Sequence, residues 1–305
     1  MKKDNDIKGH ILAFISILIW GTTFISTKIL LVDFSPIEIL FYRFCIGLLI
    51  LLIAYPHRLK GTNKKQELLF AAAGLCGITL YFLLENIALS YTAASNIGVI
   101  ISVAPFFTIL LNWLCDGEKP KTNFFMGFIA AMTGICLISF NGSAVLKFNP
   151  MGDLLAIGAA IVWAVYSILL RRINNFGYNT IQTTRRIFCY GLLFMLPVLV
   201  PLHFEWGLER FAQPVNLLNF LFLGVGASAL CFVTWNLAVK LLGVVKSSNY
   251  IYLIPVITVV TSVIVLSEKI TWISALGTVM TLMGLFISEK KVRVTKSKKM
   301  KIEEM

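Results

Sequence analysis

Long apolar segments alternate with short polar ones along the chain, and this pattern predicts ten membrane-spanning helices. A transmembrane helix needs roughly 20 mostly apolar residues. Charged residues, prolines and glycines, which favour loops and helix ends, bound segments of about this length. The predicted helices lie near residues 11–31, 36–55, 68–91, 95–114, 122–140, 150–171, 180–201, 216–239, 246–266 and 271–288.

The composition excludes an ordinary soluble enzyme and a disordered chain. Of the 305 residues, 58% are hydrophobic and only 14% are charged. Soluble domains have roughly 45–50% apolar and about 25% charged residues. The 23 Phe, 9 Tyr and 6 Trp give far too much apolar surface for disorder. Residues 1–10 are too polar for a signal peptide, so we expect the first helix to remain as a span.

The basic residues lie mainly on one predicted side of the membrane, which predicts the orientation. The net charge is +12, and an even number of helices places both termini on the same side. That side carries 20 Lys and Arg residues, and the opposite side carries four. The positive-inside rule therefore predicts cytoplasmic termini in the cell membrane. No basic face interleaved with aromatic residues accompanies this charge, so we expect contact with the lipid bilayer and not with nucleic acid.

The second half of the chain repeats the first. At an offset of 143 residues, Trp20 in predicted helix 1 matches Trp163 in predicted helix 6. From predicted helix 3 onwards the offset is 150, and Asn86 matches Asn236. Many further residues match at these two constant offsets, which chance rarely produces. The chain therefore contains two copies of one five-helix unit.

An odd number of helices in each copy gives the two copies opposite orientations in the membrane. We predict an all-α membrane protein of ten transmembrane helices in two inverted-topology five-helix repeats. The repeats span 1–149 and 150–288, and a basic cytoplasmic tail follows at 289–305. Transporters built this way bind substrate near the midplane, at the interface between the repeats.

The order of several short motifs resembles the EamA-type members of the drug/metabolite transporter superfamily. In the first half they are Trp20-Gly21, Ser35-Pro36, Arg43, Glu85-Asn86-Ile87-Ala88-Leu89, Thr92, Ala94, Ser95, Asn96, Pro105, Gly117-Glu118-Lys119, Gly127 and Gly134. The last of these recur as Pro255, Glu268, Lys269, Gly277 and Gly284. The resemblance covers about residues 10–288. It implies a ten-helix carrier that moves amino acids or other small metabolites, often outward, without ATP.

The sequence lacks the motifs of enzymes and nucleotide-driven pumps. It has no G-x-x-x-x-G-K-[ST], G-x-S-x-G or H-E-x-x-H motif, and its six cysteines occur singly. We therefore expect no catalytic residue, no metal site, no disulfide framework and no cofactor. The predicted function is secondary transport of a small organic solute, an amino acid or related metabolite, with export as the expected direction. A channel or facilitator is the alternative, and an intramembrane enzyme is a third. The oligomeric state is left open.

Aromatic and polar residues on predicted helices 1 and 6 form the first part of the candidate substrate site. Trp20, Thr23 and Phe24 share one helix face, since they are spaced i, i+3 and i+4. Trp163 and Tyr166 occupy the matching positions of the second repeat. Indole groups about ten residues into a helix lie near mid-depth and need a partner or a cavity. A helix–helix contact or an interfacial aromatic belt is the alternative explanation.

The other candidate residues lie on predicted helices 3, 4, 8 and 9. They are Tyr81, Glu85, Asn86, Asn96, Trp235, Asn236, Asn249 and Tyr252. For the two matching asparagines, an interhelical hydrogen bond that only stabilises packing is the alternative. Pro105 and Pro255 are expected to kink their helices, and the matching glycines of predicted helices 5 and 10 to allow close packing.

Glu85 is the only acidic residue well inside a predicted helix. A carboxylate in hydrocarbon is costly, so it should face the bundle interior, pair with a cation or be protonated. Arg43 lies at a similar predicted depth, and a buried Glu85–Arg43 ion pair is one hypothesis. The other is that Glu85 lies beside Tyr81 and binds a substrate amine or a coupling proton.

Overall fold

The computed structural model describes residues 2–91, 97, 100–117, 120, 122–139, 150–266 and 272–289. The regular structure in these residues is helical. The ten main helices are α1 (Lys2–Leu30), α2 (Pro36–Ala54), α3 (Lys64–Tyr91), α4 (Ala104–Asp116), α5 (Thr122–Ser139), α6 (Pro150–Asn174), α7 (Thr180–Leu199), α8 (Pro214–Leu242), α9 (Val244–Ser248, Asn249–Leu253 and Ile254–Leu266) and α10 (Trp272–Glu289). A short 3₁₀ helix, Leu208–Ala212, precedes α8. The predicted start of helix 4, Asn96 and the basic tail lie outside the described residues.

The predicted succession of ten apolar helices is confirmed. Five of the described helices are long and apolar enough to cross a membrane by themselves: α1, α2, α3, α6 and α8. Ala104–Cys115 and Ala275–Ser288 are shorter apolar helical segments. The protein is therefore a multi-pass α-helical membrane protein.

The start of α3 differs from its prediction because of a capping box. The helix begins at Lys64, four residues before the first predicted residue at 68. Asn63 Oδ1 accepts a hydrogen bond from the backbone N–H of Gln66 at 2.9 Å, and Gln66 Oε1 accepts one from the N–H of Asn63 at 3.0 Å. These bonds satisfy amides that have no partner within the helix. The prediction began at the first apolar residue and missed this polar first turn.

The close packing predicted for the glycines of α5 and α10 is confirmed. A Cβ atom added at Gly127 would lie 2.6 Å from the carbonyl oxygen of Gly284. One added at Gly134 would lie 2.5 Å from the carbonyl oxygen of Gly277. Gly127 matches Gly277 and Gly134 matches Gly284 in the repeat, so each contact is the counterpart of the other. This exchange is what an inverted pair of five-helix repeats produces.

A second exchange relates α2 and α3 to α7 and α8. A Cβ atom at Gly74 of α3 would lie 2.7 Å from the backbone nitrogen of Gly191 in α7. A Cβ atom at Gly224, the counterpart of Gly74 in α8, would lie 2.5 Å from Ile46 in α2. Each helix thus packs against a helix of the other repeat. The interface between the repeats therefore runs through the centre of the bundle.

α3 and α8 both contain a π-helical segment at the same place in the repeat. The segments are Leu75–Leu80 and Phe222–Leu230, and their last residues differ by the repeat offset of 150. Such segments change the helical phase of the residues that follow and often lie at functional sites. The backbone of the second segment also holds a candidate residue: Ala227 O accepts a hydrogen bond from Trp20 Nε1 at 2.9 Å.

The matching prolines of α4 and α9 begin α-helical segments. Ser102 and Val103 form a turn just before Pro105, and the 3₁₀ segment Asn249–Leu253 just precedes Pro255. Proline lacks an N–H and disfavours α-helical geometry in the residue before it. Both helices therefore change geometry beside the interface between the repeats, where kinks were expected.

Polar contacts tie the two repeats together at opposite ends of the bundle. At one end, Arg210 donates two hydrogen bonds to the Glu38 carboxylate, at 3.0 and 3.1 Å, and these raise the pKa of Arg210. At the other end, Arg186 in α7 forms an ion pair of 2.7 Å with Glu67 in α3. Tyr190 also donates to Glu67. Carboxylates of the first repeat thus hold cations of the second.

Candidate functional site

A narrow cavity lies between α1, α3, α6 and α9 and residue 101, where the two repeats meet. Its volume is about 30 Å³, room for about two water molecules. The described lining residues are Trp20, Thr23, Phe24, Tyr81, Phe82, Glu85, Ile101, Trp163, Ile251 and Ile254. The cavity therefore joins aromatic side chains of both repeats to one carboxylate.

Six of the sequence-predicted site residues line this cavity: Trp20, Thr23, Phe24, Tyr81, Glu85 and Trp163. Sequence reasoning missed four others, namely Phe82, Ile101, Ile251 and Ile254. In a uniformly apolar helix, the sequence does not distinguish an isoleucine that lines a cavity from one that faces lipid. It therefore gives no signal for Ile101, Ile251 or Ile254. Phe82 comes two residues after the π segment of α3. That segment changes the direction in which the following side chains point, so the spacing of a regular α-helix does not predict that Phe82 faces the cavity.

Aromatic rings from the two repeats meet edge to face at the cavity. The centroids of Trp20 and Trp163, which match each other in the repeat, lie 5.5 Å apart at an interplanar angle of 85°. Tyr81 lies 4.8 Å from Trp163 by the same measure. The N–H of Trp20 is bonded to the backbone of α8, whereas Trp163 Nε1 is buried with no hydrogen-bond partner among the described residues. Trp163, a described residue of the cavity wall, thus carries a buried donor without a partner.

Glu85 is 7% exposed and makes one long hydrogen bond, accepted from Tyr81 Oη at 3.4 Å. The hypothesised ion pair with Arg43 is not formed, because no nitrogen–oxygen distance of 4 Å or less joins these two described residues. Arg43 Nε donates instead to Ser228 Oγ at 3.1 Å, and its guanidinium lies 4.7 Å from the ring centroid of Phe82. The Glu85 carboxylate therefore lies in the cavity wall with no cation of the described residues within ion-pair distance.

Tyr166, Asn236 and Asn86 do not line the cavity, and their polar atoms connect helices. Tyr166 Oη donates to Asn236 Oδ1 at 3.0 Å, and Asn236 Nδ2 donates to Thr184 Oγ1 at 2.8 Å. This chain of hydrogen bonds joins α6, α8 and α7. Asn86 Nδ2 donates to the carbonyl of Pro36 at 3.3 Å. These contacts fit the packing alternative considered for the asparagines.

Trp235, Asn249 and Tyr252 are buried, and none of them lines the cavity. The ring of Trp235 lies 5.3 Å from that of Trp20 and supports it from the side of α8. Asn249 Oδ1 and Tyr252 Oη have no hydrogen-bond partner in the part of the chain that the structure describes. The last candidate, Asn96, lies outside that part. Those predicted residues that line the cavity thus lie on α1, α3 and α6.

The fold and the cavity together define a class of protein: a polytopic helical membrane protein with an internal cavity between inverted repeats. The family model for the EamA-like transporter family matches residues 7–140 and again residues 150–289. The chain therefore belongs to the EamA-like transporter family. The resemblance noted in the sequence is confirmed, and family membership indicates a transporter of small solutes and not an enzyme.

Named relatives agree with this assignment. The chain is 27% identical over 296 residues to an uncharacterized transporter of Archaeoglobus fulgidus, covering 93% of this chain and 98% of that protein. It is 23% identical over 278 residues to a probable terminal-alkyne amino-acid exporter of Streptantibioticus cattleyicolor, covering 91% and 92%. A crystal structure at 19% identity matches with a TM-score of 0.71 over 92% of this chain and 96% of that one. This last likeness shows the fold alone.

Proposed function

We propose that this protein is a secondary transporter that exports a small organic solute bearing an amine, such as an amino acid or related metabolite. The observation that carries the proposal is a buried carboxylate, Glu85, in an aromatic cavity between the repeats. Ionisable residues inside membrane helices mark substrate or ion pathways. Aromatic faces attract cations, most strongly where water is excluded. The name of the S. cattleyicolor relative supports the same class of solute.

In this proposal the ammonium group of the solute binds the Glu85 carboxylate against the rings of Tyr81 and Trp163. The uncommitted N–H of Trp163 donates to an oxygen of the solute, since a buried donor without a partner gains most from a new bond. The remaining wall is apolar and accommodates the side chain of the solute. Because the present cavity has room for only about two water molecules, its walls must separate to admit an amino acid.

The inverted repeats supply the two states that alternating access requires. The repeat symmetry exchanges the contacts Gly127–Gly284 and Gly134–Gly277. A conformation open to one side of the membrane therefore has a symmetry-related counterpart open to the other side. Glu85 holds either the solute ammonium or a proton, and competition between them couples export of the solute to proton entry. The distribution of basic residues supports cytoplasmic termini.

Counterflow in proteoliposomes tests this proposal. A thermal-stability screen of the purified protein against amino acids, nucleosides and organic acids first selects the solute, since binding to the folded state raises stability. The transport of that solute is then compared between the wild type, Glu85→Gln and the control Glu209→Gln. Glu209 is an exposed acid in the 3₁₀ helix before α8 and does not line the cavity. We expect Glu85→Gln to fold but to lose amine selectivity and pH-dependent transport, and Glu209→Gln to behave as the wild type.

Three outcomes would contradict parts of this proposal. Uptake that unlabelled solute on the far side does not stimulate would identify a channel or facilitator. Conversion of the solute into a new chemical species would identify an enzyme. Full, pH-dependent transport by Glu85→Gln would remove Glu85 from the site while leaving the carrier mechanism intact.

A further inference from the structure

A second cavity, of about 570 Å³, opens where α2 ends and α7 begins. This end of the bundle is the one predicted to face the cytoplasm. Three arginines line the cavity, Arg58, Arg185 and Arg186, together with apolar residues that include Leu52 and Leu59. None of its described lining residues is acidic, and it shares none of them with the cavity around Glu85. The two cavities are therefore distinct, one lined by a carboxylate and the other by guanidinium groups.

Arg185 is held in the wall of this cavity by backbone carbonyls and has no carboxylate partner among the described residues. It is 7% exposed, and its two terminal nitrogens donate to the backbone carbonyls of Tyr55 and His57, each at 2.6 Å. Carbonyl dipoles orient the guanidinium, but they do not neutralise it as a carboxylate would. Burying an uncompensated cation is costly, and an anion in the cavity offsets that cost.

Arg58 and Arg186 add to the positive charge in different ways. The Arg186 guanidinium is paired with Glu67 at 2.7 Å, so its charge is largely compensated. The Arg58 side chain is exposed and makes no hydrogen bond or ion pair with any described residue. Arg58 and Arg185 thus leave two positive charges without a carboxylate partner. Guanidinium groups match the geometry of phosphate oxygens and bind them through paired hydrogen bonds.

The cavity continues into an apolar surface on α2. Leu49, Leu52 and Ile53 are 56%, 43% and 70% exposed. Their spacing, i, i+3 and i+4, places them on one helix face, which in a membrane is covered by lipid chains. A molecule that fits the whole feature has an anionic head beside the arginines and a hydrocarbon chain along α2.

We propose that this cavity binds the phosphate head group of an anionic phospholipid from the cytoplasmic leaflet. The phosphate lies between Arg58 and Arg185, and an acyl chain follows Leu52 and Ile53. The cytoplasmic leaflet is rich in anionic lipid, and basic pockets between transmembrane helices on that side are suited to lipid head groups. A soluble phosphate would satisfy the arginines alone, whereas the exposed apolar face of α2 favours the lipid.

Lipid titrations of the purified protein in detergent test this inference. The melting temperature is followed while phosphatidylglycerol, phosphatidylcholine or inorganic phosphate is added. We expect saturable stabilisation by phosphatidylglycerol alone. Arg58→Gln should weaken its apparent affinity about fivefold, the equivalent of about 1 kcal/mol for one lost contact between a basic residue and an anionic head group. Lys60→Gln is the matched control, because Lys60 is an exposed cation of the same loop that does not line the cavity.

The Arg58→Gln variant should fold normally, because that side chain makes no described contact that folding needs. A second variant, Leu52→Gln, tests the apolar part and should also weaken the effect of phosphatidylglycerol. Equal stabilisation by phosphatidylcholine would overturn the proposed charge recognition, and equal stabilisation by inorganic phosphate would overturn the lipid as its source. An undiminished response in Arg58→Gln, or an equal loss in Lys60→Gln, would overturn the assignment to this cavity.

Discussion

Replacing Gly134 with alanine should force α5 and α10 apart. The new Cβ atom would lie 2.5 Å from both the carbonyl oxygen of Gly277 and the backbone nitrogen of Thr281. That distance is about 0.9 Å short of the 3.4 Å at which ordinary contact begins. Because both atoms belong to the backbone of α10, no side-chain rotation relieves the clash, and one helix must move.

The chain provides a matched control for this substitution in α6. A Cβ atom at Gly158 would meet its nearest neighbour, Leu84 Cδ1, at 3.5 Å, an ordinary van der Waals distance. Alanine is a better helix former than glycine by about 1 kcal/mol, and both variants gain this equally. Overpacking costs about 1–3 kcal/mol. The difference in unfolding free energy between Gly134→Ala and Gly158→Ala should therefore be about 1–3 kcal/mol.

Thermal unfolding of both variants in the same detergent measures this difference. Gly158→Ala should melt at or above the wild-type temperature, and Gly134→Ala should melt below it. A Gly134→Ala protein that melts as high as Gly158→Ala would refute the close approach of α5 and α10, and with it the exchanged glycine contacts of the repeats.

Three further predictions concern the ends of the bundle and its interior. Arg210→Gln should lower stability by about 1–3 kcal/mol in thermal unfolding, because it leaves the 2% exposed Glu38 carboxylate without its cation, and Arg210→Lys should restore part of the loss. In intact cells, a cysteine introduced in place of Asn63 should be shielded from an impermeant thiol reagent, and one introduced in place of Gln213 should react with it. The opposite labelling pattern would reverse the predicted orientation. Asn236→Ala should cost about 1–3 kcal/mol in stability by leaving buried partners unbonded, yet leave the KM for transport unchanged because Asn236 does not line the cavity.

The helices and their repeat were predictable because both depend on patterns that the sequence displays directly. Apolar length alone locates a transmembrane helix, since hydrocarbon leaves the backbone no other hydrogen-bonding solution than a helix or a closed barrel. The repeat could be found because matched pairs such as Trp20 and Trp163 survive at a constant offset. Helix ends were harder to predict. The first turn of α3 is polar and is held by a capping box at Asn63, so it has no hydropathy signal.

The site could be predicted only where a residue is unusual for its surroundings. Glu85 and the mid-depth tryptophans differ from the apolar residues around them, and each lies at the cavity. Asn86 and Asn236 were equally unusual, yet their side-chain amides donate hydrogen bonds to neighbouring helices. Sequence alone could not separate these uses, because which way a side chain points depends on the helical phase. Arg43 and Glu85 show the same limit: similar depth does not fix the distance between two side chains, and Arg43 Nε donates to Ser228 Oγ instead.

The matched π-helical segments of α3 and α8 set the direction in which the later residues of each helix point. Each residue advances an α-helix by about 100°. A π segment that holds one extra residue thus turns everything beyond it by about that angle. Removing one residue from Leu75–Leu80 would then rotate Tyr81 and Glu85 off the cavity wall. Both halves carry the segment at the same place in the repeat, so the same turn applies to both copies. The matched position that follows it holds Glu85 in the first copy and Trp235 in the second.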